Sequence, residues 1–336
     1  MKLATYKDGT RDGQLVVVSR DLGSAHYASG IASRLQQVLD DWTFLAPQLQ
    51  DLAVQLNAGR TRHSFAFDPA QCMAPLPRAY QWISGAAFPH HLERAQQASQ
   101  GGSVPDPGAG AHLHQGASDD FLGPCDDIAV PSLALGVDFG AEVAVITGDV
   151  PRGATPEQAL ASVRLVLLAN AVALRQLEPA EQARGSGWFQ SRPTTAFSPV
   201  AVTLDELGDA WQQGRLHGAL QTSWNGRKVG LGDVAPAMAL HWGQLIAQAA
   251  RTRRLRAGTV LGSGTVSSPG VADARGRLQW PQGYHSIADR RCMERLQDGQ
   301  PSTAFMAYGD TVRIEMKGRD GQSVFGAIEQ ALAEAD

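Results

Sequence analysis

The chain has 336 residues, 43% hydrophobic and only 18% charged, with 29 Lys+Arg against 33 Asp+Glu and a formal net charge of −4. This excludes global disorder and leaves no positive field for nucleic acid or an anionic membrane. Cys72, Cys125 and Cys292 are too few and too scattered for a disulfide framework or a zinc ribbon. No run approaches the ~18 apolar residues of a membrane span. The opening MKLATYKDGT holds no apolar core of signal-peptide length. The expectation is a soluble, cytoplasmic protein with neither membrane nor nucleic acid as partner.

In chain order, 3–6 and 15–18 flank a Gly/Asp turn and predict a hairpin. Ile31, Leu35, Val38 and Leu39 follow the spacing of an amphipathic helix. Pro47 can open a second helix, with Leu49, Leu52 and Leu56 on one face. Three prolines within 67–77 read as a linker. The boundary falls at 70, giving a small N-terminal α+β domain over 1–70 and a larger one over 71–336.

The Gly/Pro/Ser-rich stretch 101–110 predicts a mobile loop. An apolar strand is expected over 137–146. A helix is expected over 156–175, where Ala159, Val163, Val166, Leu167 and Ala171 recur at helical spacing. Asn225-Gly226 is a hairpin turn signal. A further helix over 238–250 ends in Arg251, Arg253, Arg254 and Arg256, which complement its dipole. A strand is expected over 258–266. Val312, Ile314 and Met316 alternate, turn at 318–321 and resume at Ser323. Many short strands, a few helices and 36 glycines predict an α+β, β-dominated fold.

Seven segments carry more: LPRAYQWISGAAFPHH (76–91), GASDDFLGP (116–124), VDFGAEVAVITGDV (137–150), ANAVALRQL (169–177), FQSRPTTAFSPVAV (189–202), AGTVLGSGTVS (257–267) and YGDTVRIEM (308–316). In order and spacing they resemble the fumarylacetoacetate hydrolase family over about 71–330. The resemblance implies a mixed β-sandwich or roll and, commonly, a homodimer. It implies hydrolysis of a C–C bond in a 2,4-dioxo acid, or decarboxylation, hydration or tautomerisation of a similar oxo acid. It also implies Mg, Ca or Mn, held by an Asp, a Glu-x-Glu pair and a second Asp. A hard cation there chelates the dioxo unit and stabilises its enolate.

The sequence departs from that ligand set. The first Asp falls on Ser84, the first Glu on Gly140 and the second Asp on Ala171, leaving Glu142 as the remnant. Asp138 shares a strand face with Glu142 but lies about 13 Å away at ~3.3 Å per residue. No cofactor is therefore expected. The resemblance places His91 at the general-base position and Asp289 at its carboxylate partner. An imidazole suits that role because it titrates near neutrality, and a carboxylate fixes its tautomer. Arg175, Arg192, Thr265 and His114 fall on substrate-contacting positions.

Each residue also has a structural reading. His91 can be a packing remnant, Arg175 and Arg192 ion-pair partners, and Glu142 a buried acid satisfied by its neighbours. Asp119 and Asp120 can cap a turn. The pairs His90-His91 and His112-x-His114 lack a third ligand of matching spacing. Gly262-Ser-Gly264 lacks the rest of a dinucleotide fingerprint.

The functional expectation is an enzyme acting on an oxo or enol acid: a C–C hydrolase by resemblance, shifted by metal loss toward tautomerase, cyclase or decarboxylase chemistry. A small carboxylic acid is the expected ligand, in a pocket made positive by Arg175 and Arg192. The alternative is a dimeric pseudoenzyme that binds a carboxylate or a partner protein. A closed, water-excluding pocket with His91 and both arginines facing in favours the enzyme; a pocket filled by their own neighbours favours the pseudoenzyme.

Overall fold

A computed structural model describes residues 1–99, 112–185 and 187–335. The loop expected over 101–110 lies outside them. The strands that matter here are β1 (Lys2–Tyr6), β2 (Gln14–Val18), β3 (Ser24–Tyr27), β4 (Phe65–Ala66), β5 (Trp82–Gly85), β6 (Leu113–Gly116), β7 (Ile128–Val130), β8 (Ala141–Thr147), β9 (Val163–Asn170), β10 (Ala201–Thr203), β11 (Ala219–Trp224), β12 (Arg227–Asp233), β13 (Val260–Gly262), β14 (Thr311–Lys317) and β15 (Ile328–Glu334). The helices are α1 (Leu35–Asp40), α2 (Trp42–Asn57), α3 (Pro89–Ser99), α4 (Pro156–Leu160), α5 (Glu178–Arg184), α6 (Trp242–Ala249) and α7 (Ile287–Asp298).

The larger sheet runs β4-β3-β2-β1-β10-β9-β8-β13-β5-β6. The expected N-terminal hairpin forms, and β1 then pairs with β10 (Lys2 opposite Val202), so the N-terminal strands extend the central sheet. A second sheet runs β12-β11-β14-β15-β7. One core cluster joins Leu3, Leu15 and Val17 to Leu35, Val38 and Leu49 of the first two helices. A second joins β8 and β9 to β14 and β15, through residues such as Val143, Leu168, Ile314 and Ile328. The result is the expected α+β, β-dominated architecture. No helix among the described residues is long and apolar enough to cross a membrane.

The sequence misleads at 156–175. The first turn is helical, opened by Pro156 and a Thr155–Gln158 capping box. From Val163 the chain is a central strand, with Val163 and residues 165–170 all buried. A strand covered on both faces reads as a continuous apolar run, and such a run also satisfies helical spacing. The strand expected over 137–146 is broken at Gly140: Val137–Asp138 pairs with Ala173–Leu174, and β8 begins at Ala141. The strand expected over 258–266 shrinks to β13. Asn225 and Gly226 do turn the β11–β12 hairpin, at φ 51° and 73°.

Candidate active site

Three adjacent strands build the floor. In β5, β13 and β8, Ser84 stands beside Gly262, and Gly262 beside Ala144. Glu142, two residues before Ala144, shares its face. Ser84 Oγ lies 3.0 Å from each Glu142 carboxyl oxygen. Beyond β13, the Gly264 N–H donates to Glu142 Oε2 at 3.1 Å. A Cβ on Gly262 would sit 2.2 Å from that oxygen, so only glycine leaves room for the acid. Burial pushes the Glu142 carboxyl up to about 7, against the pull of Ser84 and Gly264.

One wall comes from α3 and α7. His91, in the first turn of α3, is partly exposed and lines the cavity. Its Nδ1 lies 2.8 Å from Asp289 Oδ1, so with Nδ1 as donor Nε2 becomes the ring's proton acceptor. Asp289 is buried in the first turn of α7, its N–H bonded to the capping Ser286 hydroxyl at 3.2 Å. Arg94, one turn after His91, forms an ion pair with Asp289 Oδ2 at 2.7 Å. Burial pushes the Asp289 carboxyl up; the charges of His91 and Arg94 outweigh that, and the net shift is downward.

The opposite wall holds the other two cations. Arg175 Nε donates to Asp138 at 2.8 Å and its Nη1 to Glu178 Oε1 at 2.8 Å. Arg192 Nη1 lies 2.7 Å from the same Glu178 oxygen, and its guanidinium stacks 4.4 Å from the Trp188 ring centre. Burial lowers the Arg175 pKa, but Asp138 and Glu178 overcome it and shift it upward. Asp138 also accepts the N–H groups of Ile287 and Ala288 at 2.6 and 3.1 Å, tying this wall to the start of α7. His114 packs edge-on against Trp188, with ring centres 5.0 Å apart. Burial and the nearby Arg192 push its pKa down to about 3, so it stays neutral.

These walls enclose a cavity of about 300 Å³. Of the residues singled out in the sequence, His91, His114, Arg175, Arg192 and Thr265 line it, as do Ser84, Glu142 and Ala171. Asp289 stands behind His91, and Gly140 lies under Ala171 and Thr265. His112 reaches the rim, whereas His90 turns to Glu93 at 3.2 Å. The expectation of a positive pocket is corrected: Asp138 and Glu178 neutralise the two arginines. Glu178, Arg94 and Trp188 were missed. Arg94 follows His91 by three residues on α3, a spacing that brings side chains together on one helical face, and Glu178 follows Arg175 by three across the turn that leads into α5.

Comparison with known proteins identifies the family. Residues 1–78 match the fumarylacetoacetase N-terminal domain 2, and residues 81–332 match the fumarylacetoacetate (FAA) hydrolase C-terminal domain. The chain belongs to the fumarylacetoacetate hydrolase family. It is 28% identical over 156 residues to a 2,4-didehydro-3-deoxy-L-rhamnonate hydrolase of Sphingomonas sp. (strain SKA58). That match covers 46% of this chain and spans only about half, 51%, of the relative. The fumarylacetoacetate hydrolase of Exiguobacterium antarcticum shares the fold over 100% of both chains, with a TM-score of 0.65 and 19% identity. So does the maleylpyruvate hydrolase of Sphingobium sp. SYK-6 in complex with manganese (II) ion and pyruvate, with a TM-score of 0.65 and 15% identity. Members of this family act as hydrolases and isomerases on oxo acids.

The expectation of no cofactor is thereby corrected, since a protein of this fold binds manganese. The side chains at the family ligand positions are a poor match for such an ion. Glu142 is the lone carboxylate there, and its oxygens are engaged by Ser84 and Gly264. A Cβ at Gly140 would meet the Ala171 carbonyl at 2.7 Å, so an acid at 140 needs a backbone shift. Among the described residues, no group of three or more His, Cys, Asp or Glu converges as a metal site.

Proposed function

We propose that the protein moves a proton on a small 2-oxo or enol carboxylic acid, with His91 and Asp289 as the acid–base unit. The observation that carries this is the His91 Nδ1–Asp289 contact of 2.8 Å, with His91 on the cavity wall. His91 Nε2 takes a proton from the carbon beside the oxo group and returns it to carbon or to oxygen. Asp289 holds the tautomer and balances the imidazolium that forms. Thr265, His114 and the Arg192 guanidinium orient the acid. That proton transfer serves tautomerisation and cyclisation; as imidazolium, His91 can instead protonate the enolate left when CO2 departs in decarboxylation, and with a water bound beside it His91 can deprotonate that water for C–C hydrolysis of a 2,4-dioxo acid and return the proton to the departing enolate. The test follows the enol absorbance of an acylpyruvate with manganese (II) present. Wild type should consume it, and His91→Asn should not. Equal rates would refute the assignment.

A second reading keeps the fold without the chemistry: a dimeric pseudoenzyme that binds a carboxylate or a partner protein. The observation in its favour is that Arg175 and Arg192 are already paired within the chain. Under either reading the chain works as a homodimer assembled through the region after residue 70, with the 1–70 region a structural extension of the sheet. Sedimentation at the 35.7 kDa of a single chain across micromolar concentrations would refute the dimer. Three free thiols support a cytoplasmic site of action.

A further inference from the structure

The two cavity arginines already hold an acid from within. Glu178 Oε1 is 2.8 Å from Arg175 Nη1 and 2.7 Å from Arg192 Nη1, so one carboxylate oxygen fills the notch where both guanidinium groups converge. The second acid of this wall, Asp138, takes Arg175 Nε at 2.8 Å. Across the cavity Arg94 meets Asp289 at 2.7 Å. Three cations thus face three carboxylates: Arg175 with Asp138, Arg192 with Glu178, and Arg94 with Asp289. Among the described residues, no guanidinium lining the cavity is left unmatched. Glu142, the remaining acid on the floor, adds only negative charge when it ionises.

Hydrogen-bond donors remain. Arg192 Nε and Trp188 Nε1 are buried with no partner among the described residues, and the Thr265 hydroxyl lines the same cavity. Such a set satisfies one carboxylate together with neutral oxygens. A second carboxylate finds no spare cation. It must either displace Glu178 from two arginines or lie beside it as a like charge in a partly desolvated space. Discrimination through a built-in repulsive group is a general route to specificity.

We infer that Glu178 is a specificity-determining residue: it occupies the second-anion subsite itself, so the cavity selects oxo acids with one carboxylate and a neutral, hydroxyl-bearing remainder over dicarboxylates. This rests on the oxo-acid reading above. The test is calorimetric titration of two probes, 2-oxoglutarate and 2-oxo-3-deoxygluconate, into wild type and Glu178→Gln with manganese (II) present. Both probes are 2-oxo acids, and only the first ends in a second carboxylate. Wild type should bind the monoacid at least about tenfold more tightly. Glu178→Gln keeps the shape and removes the charge. It should tighten the diacid about tenfold, roughly 1.4 kcal/mol, and change the monoacid much less. Equal binding of both probes by wild type overturns the inference, as does an unchanged ratio in the variant. If the variant does not fold, the wild-type ratio decides alone. If neither probe binds wild type, the oxo-acid reading itself fails and takes this inference with it.

Discussion

On the α3–α7 wall, Asp289 receives one histidine and one arginine; on the α5 wall, Glu178 receives two arginines. Arginine stays charged at any working pH, so Glu178 is bound to permanent cations, and with Asp138 on Arg175 the group is electrically closed. Asp289 has one partner that can change its protonation state. That partner, His91, is the one facing the cavity. The same ingredients thus give the proposed proton-transfer unit on one side and a charge-balanced, shape-defining surface on the other. What separates them is the identity of a single partner.

The largest expected effect breaks the first wall. His91→Asn should lower turnover about 10²- to 10⁴-fold, the usual worth of a general acid–base group. Melting should barely change, because His91 is partly exposed. A comparable loss in Glu178→Gln on a monoacid substrate would erase the contrast between the walls.

Next is Asp289→Ala, which strips a buried ion pair and leaves Arg94 uncompensated. The cost should be about 3–5 kcal/mol by denaturant unfolding. A cost under 1 kcal/mol would mean that Arg94 escapes to solvent. Asp289→Asn should cost less in stability than alanine and still cut turnover, separating the two duties of this carboxylate.

A third test sharpens what supports the first wall. His285 is fully buried next to α7, its Nδ1 2.8 Å from the Thr222 hydroxyl, and burial pushes its pKa down to about 4 despite the pull of Asp289. The folded pKa lies below the ordinary histidine value. The stability that neutral His285 carries is therefore fully present above pH ~6.5 and is lost as pH falls toward 4. At ~1.4 kcal/mol per pH unit, the full effect is on the order of 3 kcal/mol. His285→Gln should flatten the fall of melting temperature between pH 7 and pH 4.5. An unchanged slope would assign the acid sensitivity elsewhere.

The smallest effect concerns how the second wall is held. Glu181 accepts the N–H groups of Phe189, Gln190 and Ser191 at 3.1, 2.6 and 3.2 Å, and the Ser191 hydroxyl at 2.5 Å. It thereby sets the loop that carries Trp188 and Arg192. Glu181→Gln should cost about 1–2 kcal/mol, a typical price for one lost charged acceptor, and should raise KM more than it lowers kcat. A selective fall in kcat would instead place Glu181 near the chemistry.

The sequence was most legible where function or turn chemistry restricts residue choice. The segments around His91, Arg175, Arg192 and Thr265 carried the family resemblance, and Asn225-Gly226 named its own turn. It was least legible where several structures share one pattern. The run from Val163 to Asn170 satisfies both a helical stripe and a doubly covered strand, and only the neighbours β8 and β10 decide between them. Glu178 shows the other limit. Its spacing from Arg175 is visible in the chain, but its contact with Arg192, fourteen positions on, depends on the loop that Glu181 clamps. The cavity's charge balance therefore could not be read from the family positions alone.

The central claim is that His91, oriented by Asp289, exchanges a proton with the carbon beside an oxo group. Deuterium incorporation at C3 of pyruvate, followed by NMR in D₂O with manganese (II) present, tests it most directly. Wild type should exchange the C3 protons well above the buffer rate, and His91→Asn should fall to that rate while keeping its fold. Exchange by His91→Asn at the wild-type rate would contradict the account.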